Sequence, residues 1–530
     1  MKRREFLKST APFAALPILM NGLPITTLGN PDVMNKLAGA FVNTDHVLVL
    51  IQMNGGNDGL NTVIPTDQYT NLTKARQNVI IPISKVLVMD KVDGTGLHPA
   101  MTKVRNLFND GKIGIVQGVG YPDPNFSHFR STDIWHTASD TDEVLSSGWV
   151  GRYLGNEYPN YPEGYPNAAM PDPLALQIGS VVSTVCQGVS VNMGMAISDP
   201  AAYYQLITGN YTPSPSTKAG KELDYVRKIA EQSNDYGKIV KEAGEKGNNK
   251  STKYPTAGTN RLADQLKIVA QLISGGLKTR IYVVNIGGFD THASQVDATG
   301  GNETGAHANL LGQLSEAIDA FQDDVEQLGF DDRVLGMTYS EFGRRIQSNF
   351  SLGTDHGTSA PLFLFGAKVK PGILGDNPII PSSVTVNSNL AMQYDFRSVY
   401  ASVLKDWFCL EETEVDSVML HAHQKLPLLQ SSCDSSSIEK ERLKRAGDAY
   451  VLNYPNPFHT TTTIKYESDG SHVVVQVFNG QGQIIQTLVN EFVPEGVHEV
   501  QFNGTGMAAG TYYYRYQRGG LQQTKAMLKI

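Results

Sequence analysis

Between residues 45 and 410 the apolar positions gather into five short runs: His46–Met53, Lys112–Val119, Arg280–Ile286, Arg333–Tyr339 and Pro361–Phe365. Each is nearly continuously apolar rather than alternating, as parallel strands covered on both faces must be. Between them the period changes to that of a helix. Asn260 to Leu277 sets Leu262, Leu266, Val269, Leu272 and Ile273 on one side and stops at a Gly pair. Ala308 to Leu328 repeats the pattern with Leu310, Leu311, Leu314, Ala317, Ala320, Phe321 and Val325. Strands alternating with such helices predict a three-layer α/β fold, its sheet mostly parallel, over residues 45–428. Residues 215–257, rich in Lys, Glu, Asn and Gly, read as an exposed helix and a mobile loop.

Near residue 430 the pattern changes. Residues 429–449 are Ser-rich and then charged, and read as a linker. Beyond them Val473–Phe478 and Gln483–Val489 flank the turn Asn479-Gly480-Gln481-Gly482, followed by Gly496–Phe502, Gly510–Tyr516 and Thr524–Ile530. Residues 450–530 therefore predict a small immunoglobulin-like β-sandwich. At the other end, Lys2-Arg3-Arg4-Glu5-Phe6-Leu7-Lys8 precedes the apolar stretch Ala11 to Met20, so residues 1–30 are set aside as an export signal. The arginine pair suits the twin-arginine route; a basic start on an ordinary secretory signal is the alternative. No later segment offers about 18 uninterrupted apolar residues, so no permanent membrane span is expected.

Composition narrows the function classes. Lys+Arg number 44 against 52 Asp+Glu in 530 residues, a net charge of −8, with no basic surplus for nucleic acid. The three cysteines, Cys186, Cys409 and Cys433, allow at most one bridge, for which Cys409 and Cys433 are the nearer pair. There is no Cys-x-x-Cys zinc motif.

In open α/β sheets ligands collect beyond the carboxyl ends of the strands. After the first run comes Asn54-Gly55-Gly56-Asn57-Asp58-Gly59, and after the second a segment holding Ser127, His128 and Arg130. The third is followed by Gly287-Gly288-Phe289-Asp290-Thr291-His292 and the fourth by Ser340-Glu341-Phe342-Gly343-Arg344-Arg345, while Gly353-Thr354-Asp355-His356-Gly357 precedes the fifth. Singly, each has a plain explanation as a turn or a helix cap. Together they deliver carboxylates, imidazoles and a hydroxyl to one edge, an arrangement that a divalent cation would relieve of repulsion. Oxygen and imidazole ligands without thiolates suit Zn²⁺, Mn²⁺, Mg²⁺ or Ca²⁺.

The segments GGNDG, SHFRSTDIW, GGFDTHASQ, YSEFGRR and GTDHGTSAPLFLFG, in this order, resemble the family known as domain of unknown function 1501, itself similar to the alkaline phosphatase/sulfatase superfamily. That resemblance implies an alkaline-phosphatase-like core with one or two metal ions and a serine nucleophile acting on phosphate or sulfate-type esters. Carried over, it makes Ser127 the nucleophile and joins it with Asp58 and Glu341 in one metal site. Asp290, His292 and His356 form the other, with Asp355 a further ligand or a supporting group, and Arg130 or Arg344 clamps an anionic substrate. The substrate implied is a small anionic ester or a glycan-linked one. The tail, with Asn453-Tyr454-Pro455-Asn456-Pro457-Phe458, Gly510-Thr511-Tyr512 and a terminal Lys-Ala-Met-Leu-Lys-Ile, resembles the type A sorting domain of type IX secretion. It implies the type IX machinery as a partner and delivery across an outer membrane.

The chain departs from the superfamily pattern at Phe342, where a histidine is expected; taking Asp355-His356 as the Asp-His pair instead loses the last histidine. Either way one ligand is missing, which leaves two readings open: a hydrolase with one or two metals, or a non-catalytic surface or envelope protein on a decayed hydrolase core. No cysteine or serine stands in the x-Pro-x-Arg context of a formylglycine sulfatase, and there is no Gly-x-Ser-x-Gly, GxxxxGK[ST] or His-Glu-x-x-His segment.

Overall fold

The computed structural model describes residues 45–158, 161–168, 170–189, 191–200, 217–430, 433, 451–454, 456, 458–480, 482–519 and 521–529. The export signal expected over 1–30 and most of the expected linker 429–449 lie outside the described residues. The chain divides into two compact units, one of residues 43–410 with 422–433 and one that includes 411–421 and 434–530.

In the first unit all five apolar runs are strands of one nine-stranded sheet. In chain order the strands are β1 (Val47–Asn54), β2 (Ile113–Gly120), β3 (Ala175–Ile178), β4 (Gly194–Ile197), β5 (Ile281–Gly287), β6 (Val334–Tyr339), β9 (Ala360–Phe365), β10 (Gly372–Leu374) and β11 (Tyr394–Asp395); β7 (Arg344–Ser348) and β8 (Thr354–His356) pair only with each other. The order is β10-β2-β9-β6-β1-β5-β3-β4, with β11 beside β2. β1 lies parallel between β5 and β6. β9 corrects one expectation, for the run Pro361–Phe365 is antiparallel to both β2 and β6. The chain from β6 turns back through the β7–β8 hairpin without a crossover helix, and a strand re-entering from that edge can only run the other way. For the same reason the start of β9, and Asp355-His356 before it, sits at the edge where the parallel strands end.

Alternate strand residues face two helical layers. Val47, Val49, Ile51, Met53, Ile113, Ile115, Tyr282, Val284, Phe363 and Phe365 share one core with α1 (Thr102–Asn109), α5 (Arg261–Ser274) and α6 (Ala306–Leu328). On the other face Trp135 of α2 (His128–Thr137) stacks near Tyr339 and on Phe396 of α7 (Phe396–Asp406), and Tyr400 of α7 stacks on Trp149 of α3 (Trp149–Glu157). The three-layer α/β architecture is thus present.

The segment read as an exposed helix and mobile loop is more firmly tied than its composition suggests. α4 (Lys218–Lys246) buries Tyr236, Val240 and Ala243. After it, the buried carboxylate of Asp324 accepts hydrogen bonds from the Asn249 side chain (2.7 Å), the Lys250 and Ser251 amides (2.6 and 3.0 Å) and the Tyr254 hydroxyl (3.0 Å). One apolar helical stripe and one buried acid supply the anchorage that a charge-rich composition hides. Cys409 and Cys433 form a disulfide and Cys186 is buried and free.

Among its described residues the second unit is all-β apart from the helix Glu412–Met419. Strands Val451–Tyr454, Thr461–Ser468 and Gly496–Asn503 make one sheet; Ile484–Phe492, His472–Phe478, Gly510–Arg518 and Leu521–Lys529 make another. Ile464, Tyr466 and Phe502 from the first pack with Val473, Val475, Val477, Tyr514 and Tyr516 from the second in one core.

Candidate functional site

The site begins with two glycines after β1. Gly55 and Gly56 hold φ of +122° and +84°, and a Cβ on either would meet Asp290 N at 2.2 Å or the Phe342 ring at 2.3 Å. Only glycine lets the β1 loop pass this close to the loops after β5 and β6. Arg344, fully buried, then ties those loops together. Its Nε donates to Gly56 O (2.8 Å), its Nη1 to Thr354 O (2.7 Å), and its Nη2 to Gly55 O, to Phe289 O (2.9 Å) and to Asp290 Oδ1 (2.8 Å). Buried and tied to four backbone carbonyls and to Asp290, this guanidinium braces the loops and is not open to solvent as a clamp for a substrate.

Onto the loop after β5 this frame brings three imidazoles. Asp290 Oδ1 lies 3.2 Å from Nε2 of both His292 and His356, and Asp290 Oδ2 lies 3.3 Å from His128 Nε2. The Nε2 atoms of His292 and His356 are 2.8 Å apart. The far nitrogen of each ring has its own partner. His128 Nδ1 is 2.8 Å from Glu341 Oε1, His292 Nδ1 is 3.1 Å from Asp355 Oδ1, and His356 Nδ1 is 2.7 Å from Phe126 O. Those acceptors assign the proton to Nδ1 in all three rings, so each Nε2 turns a lone pair inward. Two lone pairs 2.8 Å apart beside a carboxylate repel unless a cation or a proton lies between them. His128 Nε2, moreover, is buried without a hydrogen-bond partner.

Electrostatics agree with that placement. Burial alone would raise the pKa of Asp290, but the Arg344 guanidinium, which both donates to it and lies beside it as a charge, outweighs burial and holds the pKa at about 2. Burial lowers the pKa of His356, only partly opposed by the Phe126 carbonyl and Asp290, which keeps that ring neutral at pH 7. Ligand atoms about 2.0–2.1 Å from a tetrahedral ion are about 3.3 Å from one another, close to the separations around Asp290. His128, Asp290 and His356 can each offer one atom to a common ion. Phe342, which stands where a histidine is expected, is buried with its ring centroid 4.9 Å from that of His128 and 4.4 Å from that of His356, a wall that orients two ligand rings.

Of the residues singled out in the sequence, Asp290, His292, Glu341, Asp355 and His356 are therefore brought together. The others are engaged differently. Asp58 is fully buried and paired with Arg76 at 2.7 Å, with Gln295 Nε2 donating to the same oxygen at 2.6 Å. Burial would raise its pKa, but the Arg76 charge holds it below the usual carboxylate range. Ser127 is exposed at the N-cap of α2, and no described residue bonds its hydroxyl. Arg130 is turned to Asp133 Oδ2 (2.5 Å) and to the carbonyls of Asp140 (3.0 Å), Thr141 (3.1 Å) and Glu143. His128 is the residue that reading for a nucleophile passed over. Its signal was present, an imidazole in the same strand-end segment, one position beyond Ser127.

Beside the cluster opens a cleft of about 490 Å³ lined by Asn54, Gly55, Thr132, Asp133 and Thr184, with Phe129 at its mouth and His128, Asp290 and Glu341 at its inner end. Among the described residues that line it there is no lysine or arginine.

Residues 45–419 match a sequence profile described as protein of unknown function (DUF1501). The chain belongs to that family. Residues 453–529 match the secretion system C-terminal sorting domain. None of the curated proteins matches the chain. Among solved structures, a protein of the alkaline phosphatase superfamily from Vibrio parahaemolyticus superposes with a TM-score of 0.33 at 10% identity, over 94% of this chain and 88% of that one. A sulfatase from Pseudoalteromonas sp. gives 0.32 at 9% identity, over 90% and 88%. Dimeric latent PorU from Porphyromonas gingivalis matches 16% of this chain at 20% identity with a TM-score of 0.14, and the chain spans only 9% of PorU. Scores of this size assign no residue a role. Among the described residues no helix is long and apolar enough to cross a membrane.

Proposed function

We propose that this DUF1501 protein is an exported, metal-dependent hydrolase of phosphate or sulfate-type esters, delivered to the cell surface. The observation that carries the reading is the set of three imidazoles whose Nδ1 atoms are each held by an acceptor while their Nε2 atoms converge on Asp290. Metal-binding histidines are typically oriented in this way by carboxylates and carbonyls behind them. His128, Asp290 and His356 would hold the ion, with His292 beside them, and Glu341 and Asp355 would fix the tautomers. A bound divalent cation supplies Lewis-acid polarisation of an ester oxygen. Ser127, exposed next to His128 in the chain, would supply the attacking hydroxyl. The sorting-domain match supports export through the type IX machinery across the outer membrane, and the Arg3-Arg4 pair ahead of the apolar stretch supports passage of the inner membrane by the twin-arginine route.

One observation favours a second reading. With Arg130 and Arg344 committed to protein carbonyls and carboxylates, the cleft offers carboxylates but no side-chain cation to an anionic ester. That suits a non-catalytic surface protein binding a neutral ligand. Elemental analysis of purified mature protein, together with a screen of phosphomonoesters, phosphodiesters and sulfate esters in added Zn²⁺, Mn²⁺, Mg²⁺ or Ca²⁺, separates the two. The hydrolase reading requires near-stoichiometric metal, lost in Asp290→Asn, and turnover abolished by Ser127→Ala. Absence of metal, with no gain in Tm on adding any of the four ions, would overturn it. Metal without turnover of any ester would favour the binding protein.

A further inference from the structure

From the cleft beside the histidine cluster we infer a sugar-binding subsite in which Phe129 is the stacking platform. The inference rests on reading that cleft as the place where substrate lies, and it names the part of the substrate that does not react. Phe129 is 91% exposed although it stands in the first turn of α2, directly after the buried Nε2 of His128. Thr132 and Asp133 follow it at i+3 and i+4, so the three share one face of α2, and all three line the cleft. Asn54, at the end of β1, and Thr184 belong to the same lining.

The polar groups on these walls are of a distinct kind. The Asn54 amide and the Thr132 hydroxyl have no partner among the described residues, and Asp133 spends one carboxylate oxygen on Arg130 at 2.5 Å and leaves the other free. An amide and a hydroxyl can bond hydroxyl groups as donor or acceptor and a carboxylate accepts from them, and with no lysine or arginine in the lining nothing there attracts an anionic group. An aromatic face carries partial negative charge and attracts the electropositive C–H face of a ring stacked on it. A saturated ring with hydroxyls around its edge and C–H bonds on its faces satisfies both demands at once. The volume of about 490 Å³ falls within the range of small-molecule sites, roughly 300–1,000 Å³. A sugar bound there would present its ester group to the cluster at the inner end, where His128, Asp290 and Glu341 belong to the same lining.

Affinity electrophoresis of the full chain through gels containing soluble polysaccharides, each in sulfated and desulfated form, tests the inference without any turnover, so it stands or falls separately from ester hydrolysis. At least one polymer should retard the protein in both forms. Phe129→Ala should weaken that retardation about tenfold, and Phe129→Trp should restore it. Phe350, 103% exposed and not part of the cleft lining, serves as the control for general stickiness: Phe350→Ala should be retarded like the parent. Elemental analysis should give Phe129→Ala the parent's metal content. Retardation by no polymer, retardation only by sulfated forms and indifferent to Phe129, or equal loss in the two alanine variants would overturn the inference. So would binding to phosphatidylcholine vesicles that depends on Phe129 while no polysaccharide is retained.

Discussion

Asp58 and Arg76 form a pair with no solvent contact, both side chains being 0% exposed at a separation of 2.7 Å. Arg76 also donates from Nε to Ile346 O and from Nη2 to Arg345 O, both at 2.8 Å, so it holds the strand that carries Arg344 and Arg345. Replacing Arg76 by Met keeps the volume but leaves a buried carboxylate without its cation. Breaking a buried pair from one side costs about 3–5 kcal/mol, and for a unit of this size that lowers Tm by roughly 5 °C. The pH dependence fixes the sign. In the parent the Asp58 pKa is depressed, so the pair's contribution is present above the unfolded value and is lost as pH falls through the folded one. In Arg76→Met burial loses its main opponent, with the Gln295 hydrogen bond still against it, and raises that pKa, so the deficit against the parent should be largest at pH 7 and shrink as pH is lowered toward about 4, where the carboxyl takes up its proton. Denaturant unfolding of both proteins at pH 7 and pH 4.5, in the presence of a chelator, measures it. The metal content of Arg76→Met and of Asp58→Asn, prepared without chelator, should match that of the parent. Loss of metal with stability changed by less than about 1 kcal/mol would refute the reasoning and make Asp58 a ligand.

Glu341 accepts from the Gly55 amide and faces His128 Nδ1, each at 2.8 Å, so Glu341→Gln should weaken metal binding about 10- to 100-fold by competition titration while far-UV circular dichroism stays unchanged. His307 and His98 are neutral in the fold because burial lowers their pKa values to about 4 and about 3, whereas the unfolded chain charges them near 6.5. Stability should therefore be full above about pH 6.5 and fall as pH drops toward 4, by on the order of 3 kcal/mol for His307 alone, and His307→Gln should flatten that slope in a pH series of urea unfolding curves. Deleting residues 450–530, which hold a core of their own, should leave the metal content and Tm of the α/β unit nearly unchanged while the protein accumulates in the periplasm; unfolding of residues 45–425 on deletion would show that the sandwich belongs to the functional domain.

The elements of this protein are written locally. Strands such as Val47–Asn54 and Ile281–Gly287 are near-continuous apolar runs, and α5 and α6 carry helical stripes, so the layers and the edge at which Asp290, His292, Glu341, Asp355 and His356 gather can be read from spacing. What the spacing leaves open is partnership. The direction of Ala360–Phe365 depends on where the β7–β8 hairpin returns the chain, and an apolar run has no sign for direction. Whether an acid is a ligand or half of an ion pair depends on what reaches it, and at Asp58 that is Arg76 and Gln295, the second of them 237 residues away. Arg344 spends its donors on carbonyls as far as 289 residues away, and a sequence cannot distinguish such an arginine from one that is free to bind an anion. Ser127 and His128 are neighbours in the chain, yet only His128 is held by Asp290 and Glu341. The helix that starts between them leaves the Ser127 hydroxyl exposed at its N-cap position without a capping bond and turns the His128 ring toward Asp290, a choice made by the packing of α2 against the sheet.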